Sequence, residues 1–164
     1  MFRRLFPYLA VAILACIDTS VIPVLTNTWL VPLLAFTACI AFGLILGPLR
    51  GSMIGLWGGL LFDSTCAVPF GLLTTLFFIC SLLSGFAGKY MRRNRLASII
   101  CAVVCLFLFE SVMLLAVLIY GRDLSGHLFA HAGWRLLMNT VIVQAEYLLF
   151  GLICREKTIR YETR

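Results

Sequence analysis

Residues 51–68 read Gly51-Ser52-Met53-Ile54-Gly55-Leu56-Trp57-Gly58-Gly59-Leu60-Leu61-Phe62-Asp63-Ser64-Thr65-Cys66-Ala67-Val68. The fold turns on whether this short, glycine-rich stretch crosses a membrane or enters it and returns. On either side lie Leu5–Leu25, Trp29–Leu46, Phe70–Tyr90, Leu96–Tyr120 and Trp134–Cys154. Each is close to the roughly 20 apolar residues that a membrane-spanning helix needs. A re-entrant Gly51–Val68 would leave five crossings and push the basic run Lys89-Tyr90-Met91-Arg92-Arg93-Asn94-Arg95 across the membrane. A crossing Gly51–Val68 keeps Arg3, Arg4, Arg50, Lys89, Arg92, Arg93, Arg95, Arg155, Lys157, Arg160 and Arg164 inside, with Arg122 and Arg135 outside. Short cytoplasmic loops carry an excess of Lys and Arg, so the six-crossing arrangement is expected. The fold class that follows is an all-α membrane protein: six transmembrane helices in one bundle, both termini cytoplasmic, with residues 1–164 as a single integral membrane domain.

Composition supports this from outside the motif. The chain is 62% apolar and 12% charged, against about half and a quarter in soluble domains. Too few polar groups are present to cover a surface in water. That excludes an ordinary soluble fold, a disordered chain and a secreted disulfide scaffold. The net charge of +6 belongs to the membrane flanks, so no nucleic-acid partner is expected. Seven cysteines, an odd number with no CxxC pair, argue against a disulfide framework or a zinc ribbon. Met1-Phe2-Arg3-Arg4 before an apolar run has the look of a signal peptide. The run is longer than a signal core, and an uncleaved first helix is the expectation.

Three features could carry function. Gly43, Gly47, Gly51, Gly55 and Gly59 recur every fourth residue. Gly51, Gly55 and Gly59 therefore share one helix face. Helices in lipid associate through close packing, which small residues permit. That face meets either another helix of this chain or a separate membrane partner. Pro69 alone parts this helix from the next, so the two form a tight hairpin.

The second feature is a set of polar side chains at membrane depth: Asp18, Asp63, Glu110 and Glu146, with Asn139 seven residues before Glu146 on the same face. A charge near the bilayer centre costs roughly 3 kcal/mol or more. Three readings stand open for these groups: structural hydrogen bonding, contact with a partner, and ion or substrate transport. The third feature is Asp123, His127 and His131 at i, i+4 and i+8. These could hold zinc, or lie in an amphipathic interfacial segment with Leu124, Leu128 and Phe129. No phosphate-binding glycine loop, nucleophile elbow or HExxH occurs in the sequence, and no enzyme, cofactor or bound metal is expected.

The stretch Gly47-Pro48-Leu49-Arg50-Gly51 through Gly59-Leu60-Leu61-Phe62-Asp63, followed by Pro69-Phe70-Gly71-Leu72-Leu73-Thr74, resembles the bacterial rod shape-determining MreD family. The resemblance is specific over about residues 43–90. Where many members carry Pro-Asp or Pro-Asn at the start of the second helix, this chain has Trp29-Leu30-Val31-Pro32. The resemblance implies a non-catalytic scaffold of the cell-elongation machinery in the bacterial cytoplasmic (inner) membrane. The implied partners are MreC, a RodA-type glycosyltransferase with its penicillin-binding transpeptidase, and, indirectly, MreB filaments. The implied role is to help direct lateral peptidoglycan synthesis and cell shape. A fold similar to the six-helix substrate-binding subunits of energy-coupling-factor transporters is implied as well.

On this reading Gly51, Gly55, Gly59, Asp63 and Gly71 shape the hairpin and its partner contacts. The basic turn of Lys89, Arg92, Arg93 and Arg95 meets membrane lipid or a cytoplasmic partner. The alternative function is a substrate-binding membrane subunit of a vitamin-type transporter.

Overall fold

The computed structural model describes residues 2–21, 33–65, 71–90, 95–119 and 126–155. Every described element is helical: α1 (Phe2–Cys16, continued by a π-helical turn at Ile17–Val21), α2 (Leu34–Leu46), α3 (Pro48–Thr65), α4 (Leu72–Tyr90), α5 (Arg95–Ile119) and α6 (Gly126–Arg155). Among the described residues, three helices are long and apolar enough to cross a membrane, over Leu72–Lys89, Ser98–Ala116 and Ala132–Ile153. Leu5–Ser20 and Leu34–Leu46 are shorter apolar helices.

α2 is the centre. Its sequence is apolar on every side, and a helix of that kind must be covered all round. Ala35 through Leu44 are all buried, enclosed by α1, α3, α4 and α6. Phe36 of α2 meets Phe77 of α4 and Phe109 of α5, with ring centroids 4.8 and 4.5 Å away. Phe42 stacks on Phe150 of α6 at 4.4 Å.

The polarity of the bundle is reversed relative to a soluble protein. Phe107 is 65% exposed and Val141 70% exposed, while Asp18, Asp63, Glu110 and Asn139 are each under 9%. Apolar groups outside and hydrogen-bonded polar groups inside suit lipid as the surrounding solvent.

Two boundaries differ from the sequence reading. The five-residue turn expected at Gly47–Gly51 contracts to Gly47 alone, at φ +86°. Glycine tolerates that left-handed backbone. Pro48 then opens α3 at the position where a missing N–H costs nothing. The loop expected over Gly121–Gly133 is helical from Gly126 onward, so α6 starts two turns earlier than Trp134. Gly126 and Gly133 do not break it, as glycines are common in membrane helices. The expected start at Trp29 lies outside the described residues, as do the ends of helices 1 and 3 at Leu25 and Val68.

Candidate functional site

The glycine face of α3 lies against α4. A Cβ on Gly55 would sit 2.6 Å from the Phe77 carbonyl oxygen and 2.7 Å from Ser81 Cβ. On Gly59 it would sit 2.5 Å from Thr74 Cα, and on Gly51 it would sit 2.6 Å from Gly43 Cα of α2. No room exists for a side chain at any of the three. α4 answers with small residues of its own: Gly85 abuts Pro48 and Gly88 abuts Leu44. Ser81, fully buried, donates its hydroxyl to the Gly51 carbonyl at 2.6 Å and to the Cys39 carbonyl at 3.0 Å. It thereby joins α2, α3 and α4 at one point. Gly58, beside the face, admits α1: a Cβ there would lie 2.9 Å from both Val11 Cγ1 and Cys39 Sγ. The face that the sequence left open to a partner is filled by this chain's own fourth helix.

Asp63 stands at the far end of the seam and closes it. Its carboxylate accepts the backbone N–H groups of Gly71 at 2.9 Å, Leu73 at 3.2 Å and Thr74 at 3.0 Å, as well as the Thr74 hydroxyl. The first turn of a helix leaves its N–H groups without intrahelical partners and carries partial positive charge. Asp63 thus caps α4 from the neighbouring helix. Gly71, at φ +98°, makes the bend that turns these donors toward it. Among the described residues nothing lies within 4 Å of its own Cβ position, so its part here is conformational.

Asp18 repeats the device. Its two carboxylate oxygens accept the N–H groups of Leu34 at 3.1 Å and Ala35 at 2.7 Å, at the start of α2. Asn139 Oδ1, from α6, accepts the Leu33 N–H at 3.2 Å. Two helices distant in sequence therefore hold the same helix terminus.

Glu110 follows the pattern with a different partner. It receives Arg135 Nη2 at 2.8 Å, tying α5 to α6. Each of these acids precedes a hydroxyl residue that bonds back to its own helix: Thr19 to the Ala15 carbonyl, Ser64 to Leu61 and Ser111 to Phe107. Asp18, Asp63 and Glu110 each sit on the first helix of a hairpin and reach the early part of the second. Glu146 lies near Thr37 and Asp18. Among the described residues its Oε2 is buried without a hydrogen-bond partner, as are Arg135 Nε, Asn139 Nδ2 and Gln144 Nε2.

Of the basic turn, Lys89 is exposed at the end of α4 and Arg95 opens α5. Arg92 and Arg93 lie outside the described residues, as does Asp123. His127 and His131 fall within α6. Among the described residues, no three His, Cys, Asp or Glu side chains gather as a metal would need. Cys80 and Cys105 face each other across α4 and α5, each thiol 3.6 Å from the other's carbonyl oxygen.

The contacts missed by sequence reasoning are Ser81 and the pairing of Arg135 with Glu110. The signal for the first was present. Ser81, Ser84, Gly85 and Gly88 form a small-residue stripe on α4 that matches the one on α3.

The family model of the rod shape-determining protein MreD matches residues 2–157, nearly the whole chain. No curated protein and no solved structure matches it.

Proposed function

The chain belongs to the MreD family of rod shape-determining proteins, and on that premise we propose that it is a non-catalytic membrane scaffold of the bacterial elongation machinery. In this reading it crosses the cytoplasmic membrane six times with both ends inside, in an arrangement similar to that of energy-coupling-factor substrate-binding subunits. It binds MreC and so helps to direct lateral peptidoglycan synthesis by a RodA-type glycosyltransferase and its penicillin-binding transpeptidase. MreB filaments connect indirectly from the cytoplasmic side.

The observation that carries the proposal is the extent of the family match, which covers every helix of the bundle. The chemistry inside the bundle is in keeping with it. Asp18, Asp63 and Glu110 are each engaged by donors of this same chain. Because α4 occupies the glycine face of α3, partner contact in this proposal falls on the outer apolar faces, where Met53, Trp57 and Leu60 stand exposed on α3.

Affinity purification of the tagged chain in mild detergent tests the proposal. MreC retained in near-stoichiometric amount is the expected result. Purification that yields a bound small molecule and an ATPase pair, with no MreC, would overturn it.

A further inference from the structure

We propose that α5 is a releasable strap over the bundle core, held closed by the Glu110–Arg135 ion pair. The helices divide into two groups by how they are held. α1 through α4 are knit by backbone-close glycine contacts at Gly43, Gly51, Gly55, Gly58, Gly59, Gly85 and Gly88. Packing of that kind is what binds helices in lipid. α5 carries no glycine at all. The α6 glycines Gly133 and Gly151 have no atom of the described residues within 4 Å of a Cβ position.

Among the described residues α5 packs inward through a stripe of Ser98, Ala102, Cys105, Leu106, Phe109 and Glu110, flanked by the half-buried Cys101, Val112 and Met113, while Val104, Phe107, Leu115 and Leu118 point outward. Along that stripe the polar ties are few. The reciprocal Cys80–Cys105 contacts are sulfur hydrogen bonds at 3.6 Å, and a thiol is a weak donor. The strong tie is Glu110 to Arg135 at 2.8 Å.

This tie differs in kind from its two counterparts. Asp18 and Asp63 hold backbone N–H groups at helix termini, donors that have no other partner while the helix exists. Glu110 holds a side chain that is one-quarter exposed, whose guanidinium can exchange its partner for water or a lipid headgroup. Beneath the strap lie Phe36 and Phe77, which Phe109 covers at 4.5 and 6.4 Å. Lifting α5 uncovers that aromatic floor and leaves the α2–α3–α4 seam intact.

Hydrogen exchange read by mass spectrometry, on the full chain in lipid nanodiscs, tests this without reference to any partner protein. In Glu110→Gln and in Arg135→Gln, peptides from 95–119 should exchange about tenfold faster, the ratio that an interaction of about 1.4 kcal/mol sustains. Peptides from 48–65 and 72–90 should stay at the wild-type rate. The double variant Glu110→Arg/Arg135→Glu should return α5 toward wild-type protection. Unchanged exchange in α5, an equal rise in every helix, or a double variant as fast as the single ones would each overturn the proposal.

Discussion

The carboxylate of Asp63 accepts the N–H of Gly71 at 2.9 Å, and this bond locks the last turn of α3 to the first turn of α4. With the bonds from Leu73 and Thr74, it satisfies a helix terminus that would otherwise present bare donors to lipid. Leaving each such donor unpaired costs about 1–3 kcal/mol. Asp63→Ala should therefore lower stability by at least about 3 kcal/mol, and Asp63→Asn, which keeps one acceptor oxygen, by about half as much. Thermal unfolding in one detergent, followed by circular dichroism, reads the order. An Asp63→Ala protein as stable as wild type would show that the cap contributes nothing.

Gly55 and Gly59 admit no side chain against α4. Gly55→Ala should destabilise by about 1–3 kcal/mol, because a Cβ 2.6 Å from a carbonyl oxygen forces the helices apart. Gly55→Leu should cost more and should also reduce the MreC recovered on purification. Full stability and full recovery in both variants would contradict the seam.

Gly151 offers the opposite test. It lies in the interior of α6, with no atom of the described residues within 4 Å of its Cβ position. Gly151→Ala should leave the packing unchanged and raise helix stability by roughly 0.5–1 kcal/mol. A loss of stability there would mean that the α6 surface is covered by something else. The same unfolding assay distinguishes the two.

Ser81 serves two carbonyl groups at once, Gly51 at 2.6 Å and Cys39 at 3.0 Å. The two carbonyls share its single hydroxyl proton, so Ser81→Ala removes one three-centre bond, at about 1 kcal/mol. Ser81→Thr retains the hydroxyl and adds a methyl group to a side chain that is already fully buried. Both variants should unfold earlier than wild type, and a Ser81→Ala midpoint equal to wild type would dismiss the junction.

Much of this arrangement is legible in the residues. A period of four in glycine placed Gly51, Gly55 and Gly59 on one face, and the short link at Pro69 placed that helix beside the next. The partner surface on α4 is less visible, because its stripe of Ser81, Ser84, Gly85 and Gly88 mixes serine with glycine. Buried acids announce themselves by their cost in lipid, but not their partners. Asp18 and Asp63 bond to backbone N–H groups, which every residue except proline carries and no sequence motif marks.

With the last span beginning at Trp134, the sequence counts Arg135 as an outside charge. With α6 starting at Gly126, Arg135 sits well inside the helix and can meet Glu110. The recurrence of an acid before a hydroxyl residue, Asp18-Thr19, Asp63-Ser64 and Glu110-Ser111, was in plain view. It acquires meaning only when each acid is seen to reach the following helix.

The proposed six-crossing arrangement rests on the side of the membrane that receives the basic turn. Arg92→Cys, treated in intact cells with a membrane-impermeant maleimide and compared with the unsubstituted chain as background, measures this directly. Labelling above background is expected only after the cytoplasmic membrane is opened. Labelling of Arg92→Cys in intact cells would place the turn outside and contradict six crossings with cytoplasmic ends.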